Sequence, residues 1–515
     1  MNPKIKIYRS GSLVCETEGV IGETLLQRVS AAGIFLDAPC GGKGKCGKCL
    51  VRLSPGGEQV RACLTAVRGD MDVYVPDELE MKIADGGVSV KTAAIPNAPS
   101  GRKAQWLGVA VDIGTTTVVA HLTDIETGER LATASGVNAQ RPYGADVISR
   151  IQYCAESGSH ETLTRLIRRQ LSELIEKTCA DSGTRPEDIG YISIAANTIM
   201  EHLAAGLSPV SMGVAPFTTE SLFGEELAAG VDLPVAKDAK AYFAPAVSAY
   251  VGGDITAGML AAGLEDTAGP AVYLDIGTNG EIAMKYGDTY YCCATAAGPA
   301  FEGAEITMGM AAVQGAVNHV RREGGHIKLS VIGGGAPLGL CGSGLLDALA
   351  LMLETGAVDE TGRLLDPDEL DPEIAEHVGK VGGKNVFWLS REGEGVFIAA
   401  SDVRKLQLAK SAMAAGIQTL LHHAEITEGD VKLFVLAGGF GSFMDQTSAA
   451  RIGLFPSAFL PVARTLGNTA GEGAALALCR EEVRDALDGM RKKCEYIELS
   501  TSLHFNEQFI EQMMF

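Results

Sequence analysis

The chain has 515 residues, 46% of them hydrophobic, with 43 basic against 64 acidic side chains and a formal charge of −21. That length holds two or more domains with sizeable cores, and the acidic balance argues against nucleic acid or an anionic membrane as partner. No apolar run approaches the ~20 residues of a membrane span, and Met1–Arg9 alternates charged and apolar residues unlike a secretory leader, so the expected place is the cytoplasm.

In chain order, Lys4–Tyr8 and Leu13–Thr17 alternate like strands about a turn at Gly11, and Glu23–Ala32 has helical spacing of Leu25, Leu26, Val29 and Ala32 with Gly33 as its stop. The run Cys40-Gly-Gly-Lys-Gly-Lys-Cys46-Gly-Lys-Cys49 follows, with Cys63 fourteen residues on. Four thiolates on a Gly-rich loop suit a [2Fe–2S] cluster, because only glycine lets backbone N–H groups wrap the cluster sulfurs closely. Plant-type ferredoxins space their ligands C-x₄-C-x₂-C with a distant fourth cysteine; the first gap here is five residues. A Cys₄ zinc site is the alternative, but zinc favours paired C-x₂-C knuckles and Cys40 and Cys63 each stand alone. Lys43, Lys45 and Lys48 lie in the loop, as a solvated rim or as charges that raise the potential and guide an acidic partner. Cys49–Leu53 and Met71–Val75 read as further strands. This order resembles a β-grasp ferredoxin domain, residues 1–85. Residues 86–105, rich in Gly, Pro, Ser and Asn without periodicity, read as a flexible linker. Of the cysteines beyond the loop, Cys15, Cys154, Cys179, Cys292, Cys293, Cys341, Cys479 and Cys494, most read as core residues, with the side chains of Cys292 and Cys293 diverging in a strand.

From residue 106 onward the pattern is α/β. Trp106–Asp112 is an apolar strand that runs into Ile113-Gly114-Thr115-Thr116-Thr117 and a second strand, Val118–Leu122. Ala271–Asp275 repeats it, through Ile276-Gly277-Thr278-Asn279-Gly280 into Glu281–Met284. One such hairpin occurs in many turns; two, each between strands, point to a duplicated domain with facing halves. The chemistry fits phosphate: Gly114 and Gly277 let backbone approach an oxyanion, Thr115, Thr116, Thr278 and Asn279 donate hydrogen bonds, and Asp112 and Asp275 hold Mg²⁺ or orient the attacking water. The competing account makes the acids turn caps and gives the glycines positive φ. Lys432–Leu436 enters Ala437-Gly438-Gly439, a turn against which a flat nucleoside can lie. Cys341-Gly342-Ser343-Gly344-Leu345 and Gly467-Asn468-Thr469-Ala470-Gly471-Glu472-Gly473-Ala474 open helices whose small residues suit close crossing between lobes. Asp402–Gly416 is a strong helix with Val403, Leu406, Leu408, Ala412 and Met413 as its apolar face and Arg404, Lys405, Gln407 and Lys410 as polar points; Gln407 or Lys410 would touch ribose or phosphate in a nucleotide cleft. Gln140 and Asp146 are candidates for positioning water, Glu302 for an acid, and His202 for a local hydrogen bond.

The two D-I-G-T hairpins with Gly438-Gly439 resemble the actin, sugar-kinase and heat-shock-70 superfamily, whose duplicated actin-like (ribonuclease H-like) ATPase fold would fill residues 106–515 in two lobes. With the cysteine loop, nearly the whole chain resembles the reductive activators of corrinoid proteins, through CGGKGKCGKC, NAQRPYGADVISRI, DIGTNGEI, CGSGLLD, LQLAKSAMAAGI and LAGGFGSF. Some relatives carry an extra segment before the ATPase; here the linker passes straight into the first phosphate strand. The resemblance implies that Cys40, Cys46, Cys49 and Cys63 hold a [2Fe–2S] cluster and that the hairpins and Gly438-Gly439 hold ATP with Mg²⁺. It implies a cobalamin-containing methyl-carrier protein as partner, returned from Co(II) to Co(I) by one electron, with an upstream low-potential donor; a homodimer is compatible. Rival readings are a small-molecule kinase with a redox-sensing appendage and a redox-controlled, ATP-loaded client clamp. An activator of a radical-type dehydratase is disfavoured, since those bridge subunits with a [4Fe–4S] cluster.

Overall fold

The computed structural model describes residues 2–76 apart from 35, 37, 39–41, 43, 45 and 46, and residues 107–515 apart from 231, 304, 394 and 442. Cys40, Cys46 and the expected linker fall outside these residues. In the N-terminal module, β1 (Lys4–Arg9) and β2 (Ser12–Glu18) form a hairpin; α1 (Leu25–Ala31) follows, then β3 (Leu50–Arg52), β4 (Gln59–Arg61) and β5 (Met71–Tyr74). The sheet order is β2-β1-β5-β3-β4, with β1 and β5 parallel. Thr24 and Gln27 form a capping box, which is why the helix starts at Leu25 and not Glu23. Leu25, Leu26 and Val29 meet Ile5, Ile7, Val51 and Val73 in a small core of their own.

The large domain is built twice on one plan. In lobe one, β6 (Leu107–Ile113), β7 (Thr117–Asp124) and β8 (Arg130–Val137) form an antiparallel meander. After α2 (Val147–Ser157) and α3 (Glu161–Ser182), β9 (Ile189–Ala196) returns parallel to β6. The helix α4 (Thr198–Ala205), β10 (Glu226–Ala228), β11 (Lys240–Phe243) and α5 (Gly253–Ala261) complete it, giving β10-β11-β9-β6-β7-β8. In lobe two, β12 (Ala271–Ile276), β13 (Gly280–Tyr286) and β14 (Thr289–Thr295) repeat the meander. An inserted layer follows: β15 (Ala316–Glu323), β16 (His326–Val331), β17 (Gly339–Leu340), α6 (Gly342–Glu354), α7 (Pro372–Ala375), β18 (Val378–Val381), β19 (Lys384–Ser390) and β20 (Val396–Ala399). The chain then forms α8 (Ala400–His423), β21 (Leu433–Ala437), α9 (Gly438–Gly441), α10 (Gln446–Arg451), β22 (Ala463–Thr465), α11 (Thr469–Cys479), α12 (Glu481–Lys492), β23 (Cys494–Tyr496) and α13 (Leu503–Glu511). In the sheet order β22-β21-β12-β13-β14-β23 the first five strands repeat β11-β9-β6-β7-β8 of lobe one, with β21 parallel to β12 where β9 is parallel to β6, while β23 and β10 extend opposite edges. The central strands are apolar on both faces, as parallel strands covered by helices must be.

The lobes are joined by helices that change sides. The helix α5 follows lobe-one strands yet buries Ile255 and Met259 against Tyr273, Ala283 and Val435 of lobe two. The helix α11 follows lobe-two strands yet buries Ala470, Ala474 and Leu478 against Ala110 and Ala195 of lobe one. They cross so closely that a Cβ on Gly473 would lie 2.2 Å from the Ala257 carbonyl oxygen. The sequence expectation of a second interlobe helix at Cys341 is corrected: Gly344 of α6 abuts the Val317 carbonyl of β15, inside lobe two. Among the described residues no helix is long and apolar enough to cross a membrane. Cys154, Cys179, Cys292, Cys293, Cys341 and Cys479 are buried, as expected of core cysteines.

Candidate functional site

The β6–β7 and β12–β13 hairpins present equivalent strand-end acids. Asp112 pairs with Val119 across its hairpin and Asp275 with Glu281, so the lobe-one tip is one residue longer. Gly114 is required by that tight tip, since a Cβ there would lie 2.9 Å from the Thr117 carbonyl oxygen, whereas at Gly277 the nearest atom would be 3.8 Å away. Neither glycine has positive φ, so the alternative that they supply left-handed backbone fails.

The acids converge on a third carboxylate that the sequence analysis missed, Asp254 in the first turn of α5. Burial pushes Asp112 up to about 7, helped by repulsion from Asp275 and opposed by a hydrogen bond from the Asn468 side chain. Burial pushes Asp254 up to about 8, with Asp275 and then Asp112 adding to it. Asp275 rises to about 6 through burial, offset by Tyr273, whose hydroxyl lies 3.4 Å from Asp275 Oδ2 and 2.7 Å from Thr469 Oγ1. Asp275 thus raises the proton affinity of Asp112, and both raise that of Asp254, yet among the described residues no three acids close to a group that would hold a metal ion directly. Asn468 and Thr469 begin α11 and Asp254 begins α5, so the crossing helices deliver these groups. Only the D-x-G-T acids sit at a recognisable motif; the signal for Asp254 was the Gly252-Gly253 helix start beside it.

The threonines are tied together. Thr116 Oγ1 of lobe one donates to Glu302 Oε2 at 2.9 Å, and Thr278 Oγ1 of lobe two donates to Glu302 Oε1 at 2.7 Å. One carboxylate thus accepts from both hairpin tips. Thr115 Oγ1 accepts from Asn197 Nδ2 at 3.3 Å, and Asn138 Nδ2 donates to the Gly114 carbonyl at 2.8 Å. Behind the lobe-one tip lies Arg150, fully buried and bonded to the Thr115 carbonyl, to the Gly144 carbonyl at 3.0 Å and to Gln140 Oε1 at 3.0 Å. Burial lowers its guanidinium to about 9. Gln140 is itself buried in this scaffold and Asp146 caps α2 through the Ser149 N–H at 2.7 Å, so neither faces a water position as the sequence suggested. Asn279 donates to buried Glu281. His202 bonds the Thr198 carbonyl at 2.7 Å, the local role expected.

At the third motif, Gly438 has φ +87° and a Cβ there would lie 2.5 Å from Asp275 Oδ1, while at Gly439 a Cβ would meet no atom within 4 Å. Gly438 lets the turn close on the acid and Gly439 leaves space beside it. Gln407 and Lys410 of α8 are corrected: both are buried against the C-terminal segment, Gln407 donating to the Met513 carbonyl at 2.9 Å and Lys410 to the Met514 carbonyl. Leu408, read as apolar face, is 42% exposed.

In the N-terminal module the β3–β4 pairing brings Cys49, just before β3, beside the Cys63 turn: the Ala62 N–H donates to the Cys49 carbonyl at 2.7 Å. Both cysteines are buried. Gly42, Gly44 and Gly47 have φ of 77°, 71° and 70°, backbone that side-chain-bearing residues rarely adopt. Two buried thiols below a left-handed glycine loop fit the described part of a thiolate cluster site.

A family model described as the RACo middle region matches residues 107–267, and one described as the C-terminal domain of RACo, the ASKHA domain, matches residues 270–515. The corrinoid activation enzyme RamQ of Eubacterium limosum is 32% identical over 98% of this chain and 98% of its own length. The [Co(II) methylated amine-specific corrinoid protein] reductase of Methanosarcina barkeri is 26% identical over 79% of this chain and 77% of its own. The solved structure of a reductive activator for corrinoid, iron-sulfur protein aligns over 99% of this chain and 98% of that one, with TM-score 0.73 and 27% identity. With facing hairpins, a glycine turn against the second acid and relatives aligned end to end, the chain belongs to the RACo family, the reductive activators of corrinoid proteins.

Proposed function

We propose that this protein uses ATP to drive one-electron reduction of Co(II) to Co(I) in a corrinoid methyl-carrier protein. The observation that carries the reading is the pairing, in one chain, of the buried cysteine site with two phosphate-type hairpins facing each other across Asp112, Asp254 and Asp275. The proposed division is a ferredoxin-like domain over residues 1–85, a linker over 86–105 and the two-lobed ATPase over 106–515. Cys40, Cys46, Cys49 and Cys63 would hold a [2Fe–2S] cluster, which supplies single electrons at low potential. In the cleft, Thr115, Thr116 and Thr278 donate to phosphate oxygens, with Asn279 poised beside them, and Gly114 and Gly277 let backbone approach. Gly438 and Gly439 bed the nucleoside. Asp112 and Asp275 would hold Mg²⁺ through water or orient the attacking water, with Asp254 beside them, and Asn468 keeps Asp112 in place. Lobe movement about α5 and α11 converts nucleotide occupancy into a change of shape. The chemical need is plain: Co(I) lies at very low potential, and each ~59 mV of shortfall in a one-electron donor costs tenfold in yield.

The partners proposed are the corrinoid protein, a low-potential donor that recharges the cysteine site, and a second copy in a homodimer; the place is the cytoplasm. The test is the absorbance change of Co(II) to Co(I) in a corrinoid methyl carrier with ATP, without nucleotide, and with a non-hydrolysable analogue. Reduction that requires ATP supports the coupling; equal rates and yields in all three sink it.

A further inference from the structure

The cysteine-bearing module is seated on both lobes of the large domain. On lobe two, Lys48 Nζ donates to the Gly309 carbonyl at 2.7 Å. On lobe one, Gly42 backs onto the turn Arg141–Tyr143: a Cβ at Gly42 would lie 3.7 Å from the Pro142 carbonyl oxygen. The helix α1 lies against the same turn, and the charges of Arg28 and Glu23 reach Tyr143. A seat made half by each lobe exists at one lobe separation and not at another.

Both halves of the seat lead back to the hairpin tips. The turn Pro299–Glu302 carries Glu302, which accepts from Thr116 and Thr278. Further on, the Thr307 N–H and hydroxyl donate to Asp402 of α8 at 3.1 and 3.0 Å, and the stretch ends at Gly309, under Lys48. The lobe-one turn follows Gln140, which holds Arg150 against the Thr115 carbonyl. Glu302 fills both threonine hydroxyls with an anion, the charge type that a phosphate would bring to the same donors. Each threonine hydroxyl has one proton to donate and gives it to Glu302, so a phosphate that takes these donors displaces the carboxylate from them.

We propose that residues 299–303 and 305–309 act as a strap that sets nucleotide binding against seating of the cysteine module: phosphate displaces Glu302, the strap shifts, Gly309 leaves Lys48, and the module is released. The proposal rests on the nucleotide reading above. By linkage, seating weakens nucleotide binding by the factor by which nucleotide weakens seating.

Lys48 reports its own contact. The full-length protein is acetylated briefly with N-hydroxysuccinimidyl acetate, with and without a non-hydrolysable ATP analogue, and modification of Lys48 is compared by mass spectrometry with that of Lys4, whose side chain is 66% exposed. Analogue binding is followed in parallel with a fluorescent ATP derivative. Lys48 is expected to be protected without nucleotide and to gain at least about fivefold in acetylation with it, the lower end of ordinary couplings. Glu302→Gln is expected to bind the fluorescent derivative several-fold more tightly, because the competing charge is gone; a merely structural Glu302 would leave affinity unchanged or reduced. Lys48 as reactive as Lys4 without nucleotide overturns the seat. Unchanged Lys48 reactivity with analogue demonstrably bound overturns the coupling and leaves the nucleotide reading standing. Failure to bind any analogue overturns both.

Discussion

At Gly438 a single methyl group is decisive. The residue has φ +87° and stands against Asp275 Oδ1, so Gly438→Ala meets both left-handed backbone, at roughly 1–2 kcal/mol, and a carboxylate that must move. Urea denaturation is expected to show that loss, and titration with a fluorescent nucleotide a matching fall in affinity, whereas Gly439→Ala, with open space beside it, is expected to keep its stability. Lys410 gives a pH signature. Burial lowers its ammonium from 10.5 to about 8, so the folded state binds fewer protons than the unfolded chain between those values. The burden of the buried charge is therefore full below pH 8 and is relieved as pH rises toward 10.5, about 3 kcal/mol in all at ~1.4 kcal/mol per unit. Denaturant melts at pH 7.5 and 10 should show this gain for the wild type relative to Lys410→Met, which has no proton to lose; parallel pH dependence of the two would refute it.

Helices, not strands, set the geometry between the lobes. The strands carry Asp112 and Asp275 to the cleft, but α5 brings Asp254 and α11 brings Asn468, and their crossing depends on Gly473 lying on the Ala257 carbonyl. Gly473→Leu must separate them or distort both, which for overpacking costs about 1–3 kcal/mol. Because Asp254 and Asn468 move with the helices, ATP hydrolysis is expected to fall further than stability does; a variant destabilised in denaturant yet fully active would show that the crossing does not position the site. A second element-level effect lies at α8, where the C-terminal segment covers Gln407 and Lys410 and Ser411 donates to the Phe509 carbonyl. That side of α8 is packing, and its solvent side carries Arg404 and Leu408.

For the whole molecule, two lobes joined by crossing helices make nucleotide a stabilising ligand. At one hundred times its dissociation constant ATP with Mg²⁺ should raise unfolding free energy by about 2.7 kcal/mol, seen as an upward shift of the melting temperature. Removing Mg²⁺ with a chelator should shrink the shift, and in Asp254→Asn, with one carboxylate of the cluster neutral, Mg²⁺ should add little. Equal Mg²⁺ dependence in wild type and variant would remove Asp254 from the cation site.

Chemistry held in a short stretch was legible from the amino-acid order alone. The Asp112 and Asp275 hairpins, the Gly438 turn, the helix opened by Asn468 and the strands framing the cysteine loop are each local, because an acid, a glycine or a cap works on its immediate neighbours. Duplication was legible too, since the same tip recurs between apolar runs of strand length. What joins distant segments needed the tertiary structure. Glu302 reaches Thr116 and Thr278 from a third turn, Asp254 of α5 feels the charges of acids from two strands, and Arg150 is a buried brace and not a surface cation. Periodicity marked α8 as a helix but misjudged its faces, because both Lys410 and Leu408 suit either side until the neighbouring chain is in place. Burial and charge repulsion are properties of the assembled lobes, and no single segment carries them.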